Sequence, residues 1–367
     1  MKIQAAVLSG VDEPFRIETV DLAEPREGEV LVKIAAAGIC RSDWHLVTGA
    51  TRHPLPVVPG HEGAGRVQAT GPGVDGLTVD DLVTLNWAPA CGACFYCRAD
   101  KPNLCSTYLE PIWSGTLLDG STRLSLAGQP LYHYCGLAAF AEYVVVPAAS
   151  CVKMDARLAP TVAALIGCAV ATGVGAVLNT ARLPAGSHVA VFGAGGVGLN
   201  IILAARLAGA DRVIAVDPQP ARQALARECG ASHVLATVDS AAATIKDLCD
   251  SRGADYVFEA VGDPQVQQAC IEAARPGGTI VLAGLAPMDS RTEFAAASLS
   301  RQEKTVMGSY YGSTVPARDF PLYGQYCLDG KLDLARMISK TYALPQINEA
   351  YQDMLAARIA RGMIVFD

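Results

Sequence analysis

SHVAVFGAGGVGLNIILAARLAG, residues 187–209, is the stretch on which the fold turns. In HVAVF at 188–192 the residues 189–192 form an unbroken apolar run, as expected of a strand covered on both faces. Glycines follow at once, and from 197 to 207 apolar residues recur at the three-to-four spacing of a helix. Strand, glycine turn and helix in that order solve a phosphate-binding problem. Gly193 permits the tight turn, Gly195 lets a pyrophosphate approach the backbone, and Gly198 allows close helix–strand packing. Gly196 and Val197 open the helix, whose N-terminal amides and dipole favour an anion. Asp217 ends the next apolar run, DRVIAVD at 211–217. A carboxylate about 20 residues beyond the glycines can take the adenosine ribose hydroxyls and repel a 2′-phosphate. Arg222, the first basic residue after it, counts among the candidate cofactor contacts. It follows Pro218, Gln219 and Pro220, so no cation is expected beside Asp217 to welcome NADP, and the cofactor is read as NAD(H).

Outward from this motif, strand-like runs at 212–216, 233–236, 256–260, 279–283 and 305–309 alternate with helical stretches such as 221–229. That alternation predicts an α/β, doubly wound parallel sheet over 170–310. Residues 1–169 read differently, as short alternating strands cut by Gly and Pro at 30–35, 65–70, 81–85 and 141–147, which suits a mainly antiparallel, partly barrel-like domain. The tail, 311–367, has a helix near 347–357 and a last strand at 361–366, and is expected to fold back on the first region.

Composition narrows the class. Of 367 residues, 51% are hydrophobic and 18% charged, which excludes disorder. A net charge of -7 without a cluster of Lys or Arg argues against nucleic acid. The opening MKIQAAVLSGVDEP lacks the apolar core of a secretory signal, and runs such as 189–203 are broken by glycines and fall short of the roughly 20 residues of a bilayer span. No membrane role and a cytoplasmic location are expected. Twelve cysteines in such a chain point to metal ligation or catalysis rather than a disulfide framework.

Four of them, Cys91, Cys94, Cys97 and Cys105, fall within fifteen residues. Four thiolates so close can wrap one zinc tetrahedrally as a closed structural site. A redox dithiol is the alternative, but two C-x-x-C overlapping on Cys94 fit a cage better. A second group is dispersed: Cys40 in GICRSDWH, His61 and Glu62 in PGHEGAG, and Cys168 in LIGCAVATG. Taken singly, a buried Cys is usually core and a lone His a satisfied hydrogen bonder.

Together GICRSDWH, GHEGAGRV, the four-cysteine loop, the Cys168 segment and GAGGVG, in that order, resemble the zinc-dependent medium-chain alcohol dehydrogenases over essentially the whole chain. The resemblance implies a Rossmann domain at 170–310 and a GroES-like catalytic domain from 1–169 and 311–367, with two zincs per chain. Cys40, His61 and Cys168 would hold the catalytic zinc and the loop cysteines the structural one. Glu62 would be a carboxylate near the zinc, and Asp43 the acid that orients the ligand imidazole, as ligating His commonly requires. Arg41 and Arg361 match pyrophosphate contacts, though either could be an ordinary solvated arginine. Val197, Val261 and the segment 284–286 around Leu285 would line the nicotinamide side.

The implied chemistry is Lewis-acid polarisation of an alcohol oxygen by zinc and hydride transfer to NAD. Ser42 and His45 would carry the alcohol's proton to solvent through the cofactor ribose hydroxyl; a surface histidine without a role is the plain alternative. Trp87, Tyr134 and Phe140 match walls of the substrate pocket, and core aromatics are an equal reading. A primary alcohol with an apolar or aromatic tail is expected. Thiol-dependent formaldehyde dehydrogenases use basic residues just past the zinc loop, and 106–120 contains none. HLVTG at 45–49 and AYQDML at 350–355 resemble the nicotinoprotein branch, which keeps NAD bound. The length between Cys105 and Phe140 leaves room for the loop that accompanies dimers in this family. A zinc-free reductase is disfavoured by the ligand triad, and a non-catalytic zinc-stabilised binding module by the full dinucleotide motif.

Overall fold

His188–Phe192 is the first of six parallel strands in the computed structural model, which describes residues 1–367. The others are Arg212–Val216, His233–Leu235, Ala254–Glu259, Ala274–Leu282 and Thr305–Gly308. Their spatial order is third, second, first, fourth, fifth, sixth. The order therefore reverses between the first and fourth strands, and a crevice opens there at the carboxyl ends. Val189–Phe192 and Val213–Val216 are buried, as continuous apolar runs in a covered parallel sheet must be. The fifth strand starts at Ala274, several residues earlier than expected; a register shift between Ala254 and Tyr256 accommodates the Pro276-Gly277-Gly278 run that reads as a turn. This sheet and its helices form one of two units, Ala169–Thr314.

The other unit joins Met1–Cys168 with Val315–Asp367. One of its sheets has the order Lys2–Val7, Arg16–Leu22, Leu124–Leu126, Gln129–His133, Val57–Val58. The second is built on Glu29–Gly38, which pairs antiparallel with Gly63–Thr70, Tyr143–Pro147 and the C-terminal strand Arg361–Val365. Met363 lies opposite Gly38 and Ile364 opposite Ala37, so the tail strand joins the first region directly. The segment after Cys105 is not an open loop. Helix Ser106–Ser114 is followed by a hairpin whose turn, Ala127-Gly128, has φ of 49° and 78°, the left-handed pair of a tight hairpin.

The helical run Pro160–Ala181, 22 residues long, is apolar enough by composition to cross a membrane, longer than any apolar run expected. Buried residues make up 83% of its apolar window, as in a core helix.

Candidate active site

Three chain segments converge at the end of Glu29–Gly38. The strand runs out into Cys40; His61 and Glu62 immediately precede Gly63–Thr70; and Cys168 lies in the wide, π-type turn Ile166–Val170. Backbone bonds fix the approach: Gly38 N–H donates to the Glu62 carbonyl at 2.7 Å, and Ile39 N–H to the Gly362 carbonyl at 2.9 Å. The metal-ligating atoms of Cys40, His61 and Cys168 all lie within 4.8 Å of one another, and Cys168 Sγ is 3.3 Å from His61 Nε2.

The surroundings set the protonation states. His61 Nδ1 lies 3.1 Å from Asp43 Oδ1, which also accepts the Gly60 N–H at 2.9 Å. Nδ1 is thereby the donor, leaving the Nε2 lone pair turned to the thiols, as a metal ligand requires. Burial disfavours the imidazolium, yet Asp43, Cys168 and Cys40 outweigh it and hold the His61 pKa well above its usual value. A field that holds a proton there equally favours a cation. The hydrogen bond from Cys168 keeps the Cys40 thiol well below its usual value, and the same bond with burial keeps the Cys168 proton on. Glu62, itself buried, is ion-paired with the buried Arg361 guanidinium. Two soft sulfurs and one imidazole nitrogen fit zinc with a fourth position left open.

The cysteine loop is a different construction. Cys91 Sγ lies 4.0 Å from Cys97 Sγ and Cys94 Sγ 3.9 Å from Cys105 Sγ. A tetrahedron with metal–sulfur bonds of 2.3 Å has edges of about 3.8 Å, so zinc fits. Backbone N–H groups of Cys91 and Cys94 point at Cys105 and Cys91 sulfurs, each at 3.3 Å, and favour thiolates. Hydrogen bonding, led by the Cys97 backbone, brings Cys94 down to about 5; burial pushes Cys97 up to about 12.

In the parallel-sheet unit Gly193 has φ of 91°, and a Cβ on Gly198 would sit 1.7 Å from the Gly193 carbonyl oxygen, so the helix Gly196–Leu207 closes on the turn only because residue 198 is glycine. A Cβ at Gly195 would meet nothing within 4 Å, which leaves that stretch of backbone open to a pyrophosphate. Asp217 accepts Ala194 N–H at 2.8 Å and Gln219 N–H at 2.9 Å, bracing the glycine turn. The expectation that no cation adjoins it is corrected: helix Pro220–Glu228 turns back over the strand end and brings Arg222 Nη1 to 3.8 Å from Asp217 Oδ2.

The chain is similar to known proteins over its whole length. Residues 26–156 match the alcohol dehydrogenase GroES-like domain and 196–325 the zinc-binding dehydrogenase domain. An NDMA-dependent alcohol dehydrogenase of Amycolatopsis methanolica is 38% identical over 100% of this chain and 99% of its own. The chain belongs to the zinc-dependent medium-chain alcohol dehydrogenases. An S-(hydroxymethyl)glutathione dehydrogenase of Synechocystis is 36% identical over 99% of this chain and 100% of its own. The crystal structure of benzyl alcohol dehydrogenase from Acinetobacter calcoaceticus superposes with a TM-score of 0.95 at 30% identity, covering 100% of both chains. The enzyme is thus an alcohol dehydrogenase oxidoreductase that uses zinc and NAD.

In this dehydrogenase, helix Arg41–Val47 carries the remaining polar candidates. Ser42 Oγ lies 3.8 Å from Cys40 Sγ, and Asp43 turns inward. His45, one turn on from Ser42, is half-buried, and burial lowers its pKa. Arg41 is exposed; Arg361, by contrast, points into the metal site at Glu62. Tyr134 stands edge-on to His61 with centroids 5.6 Å apart, and its hydroxyl donates to the Ser42 carbonyl at 3.3 Å. Trp87 is half-buried. Phe140 is corrected from pocket wall to core: it is 0% exposed, edge-on to Tyr351, and a Cβ on Gly60 would touch its ring. Val261 and Leu285 are exposed at the carboxyl ends of the fourth and fifth strands.

Two residues escaped sequence reasoning. Gly38 is required because a Cβ there would lie 2.5 Å from Glu62 Oε2, and its signal was a glycine two residues before Cys40. Glu259 is a buried carboxylate whose signal was an acid closing the apolar run YVFE.

Proposed function

We propose that the enzyme interconverts primary alcohols bearing apolar or aromatic tails with their aldehydes, preferring NAD(H) to NADP(H). The observation that carries the reading is the Cys40–His61–Cys168 triad, its His61 and Cys168 buried, with Asp43 behind its imidazole and Tyr134 beside it. When bound, zinc supplies Lewis-acid polarisation of the substrate oxygen and NAD the hydride acceptor. Asp43 keeps His61 in the Nδ1–H tautomer, Arg361 neutralises Glu62, and Ser42 Oγ takes the alcohol's proton, which His45 passes outward. The loop thiols stabilise the fold around a second zinc.

Tyr134 and Trp87 supply an apolar wall, in keeping with a structural relative that is a benzyl alcohol dehydrogenase. A glutathione adduct is disfavoured: 106–120 offers no base, and the next arginine, Arg123, is buried against Glu29 and Asp119. A second reading, that NAD stays bound through turnover, is favoured by the resemblance to an NDMA-dependent relative. We place the catalytic domain at 1–169 with 311–367 and the dinucleotide domain at 170–310, in a cytoplasmic homodimer. The sixth strand, Thr305–Gly308, supports the dimer: it is a sheet edge with Val306 exposed. Initial rates across an alcohol and aldehyde panel, with and without added NAD and with and without an added artificial two-electron acceptor to reoxidise a bound NADH, test both readings; an absence of activity with every apolar alcohol under all of these conditions contradicts the substrate class. Asp217→Gly should erode the NAD preference, and equal efficiency of unmutated enzyme with both cofactors contradicts that preference.

A further inference from the structure

We infer that Glu259 is a positioning residue that locks together the two backbone walls of the nicotinamide pocket. The inference rests on the dinucleotide reading above. With the adenosine end at Asp217 on the second strand and the pyrophosphate at the turn after the first, the remaining end of the cofactor crosses the switch point to the fourth and fifth strands. Glu259 is the last residue of the fourth strand and is 0% exposed.

Its main chain and side chain grip different walls. The Glu259 carbonyl accepts both Ala283 N–H and Gly284 N–H at 2.9 Å, which ties down the end of the fifth strand. Its Oε1 accepts Val261 N–H and Gly262 N–H at 2.6 Å each, which shapes the turn after its own strand. Oε2 lies 3.4 Å from Gln267 Nε2, and Gln267 is itself bonded to Thr292. The walls meet without slack. A Cβ on Gly284 would fall 2.3 Å from Gly262 N and 2.8 Å from Glu259 Oε2, and one on Gly262, where φ is +83°, would fall 2.3 Å from the Leu285 carbonyl oxygen. Val261 in turn abuts the phosphate turn, its Cγ2 2.7 Å from where a Gly193 Cβ would be.

The side chains above this knot, Val261 and Leu285, are 50% and 56% exposed, whereas the carboxylate beneath is sealed. Burial raises the Glu259 pKa, and the two short amide bonds oppose that rise. A buried acid is costly unless its hydrogen bonds are satisfied, and here they are spent on the main chain of Val261 and Gly262.

The test compares two probes on the whole enzyme: NADH, and ADP-ribose, which lacks the nicotinamide. Titration calorimetry should show Glu259→Ala binding ADP-ribose like the unmutated protein and NADH roughly tenfold or more weaker, since charge-assisted hydrogen bonds are lost from one wall. Glu259→Gln, which keeps an acceptor oxygen where Oε1 stands, should bind both within a few-fold of normal. The alanine variant should also raise KM for NAD while lowering kcat. Unchanged NADH affinity in Glu259→Ala overturns the inference. So does a parallel loss of ADP-ribose binding, which would make Glu259 a residue of the fold at large. Unmutated enzyme that, once stripped of any resident nucleotide, binds neither probe overturns the dinucleotide reading and the inference with it.

Discussion

The two zinc sites of this enzyme are built in opposite ways. The loop site takes its four sulfurs from Cys91, Cys94, Cys97 and Cys105, so local chain geometry alone can close it. The triad draws His61 and Cys168 from positions 107 residues apart and needs the ends of two strands and a widened helical turn before the donors meet. One is filled by four thiols; the other has three donors, an oriented imidazole and a buried Glu62–Arg361 pair. A closed tetrahedron has no place for a substrate, so the loop can contribute only to folding, whereas an open fourth position is of use only within an already built fold. The difference separates stability from chemistry residue by residue.

The largest effect that could break this division comes from the thiols. Cys40→Ala should abolish alcohol oxidation while thermal melting stays near that of the parent, and Cys97→Ala should lower the melting temperature while folded enzyme keeps its turnover. An active Cys40 variant beside a fully stable Cys97 variant reverses the assignment. Next is Ser42→Ala, expected to cost roughly 10²–10⁴ in the hydride-transfer rate, the usual worth of a positioned acid or base. Full activity in that variant rejects Ser42 as the proton acceptor. Asp43→Asn should weaken zinc at the triad, or activity, by about 10–100-fold while leaving the loop zinc untouched. Equal loss from both sites on chelator titration would show that Asp43 acts through the fold.

Smallest is His45→Gln. Burial lowers the His45 pKa, so the imidazole is neutral and able to accept a proton at neutral pH, and loses that ability only as pH falls through the lowered value. The variant should therefore be slowest relative to the parent between that lowered value and about pH 8, with the gap closing at lower pH as His45 is protonated and narrowing at higher pH as hydroxide takes over. An unchanged pH profile removes His45 from the relay.

The same contrast explains what could be read from the chain. The loop and the glycine turn were legible because their chemistry is local: C-x-x-C spacing and a strand–glycine–helix order leave few alternatives. The triad needed a whole-chain resemblance, since nothing in the spacing of Cys40, His61 and Cys168 brings them together. Strand Glu29–Gly38 extends beyond its expected end because Ala36 and Ala37, poor strand formers, are held by pairing on both sides. Phe140 and Arg222 were misread for one reason: whether an aromatic faces core or pocket, and where a helix turn swings an arginine, depend on packing rather than order.

The central claim is that two zincs per chain do two different jobs, and metal content measured alongside turnover tests it most directly. The unmutated protein should carry two zincs per chain; Cys168→Ser should be folded, inactive and hold one; Cys97→Ala should lose the other and unfold more readily while its folded fraction turns over alcohol. A single zinc in the unmutated protein, or turnover by a Cys168→Ser enzyme that has lost a metal, would contradict the account.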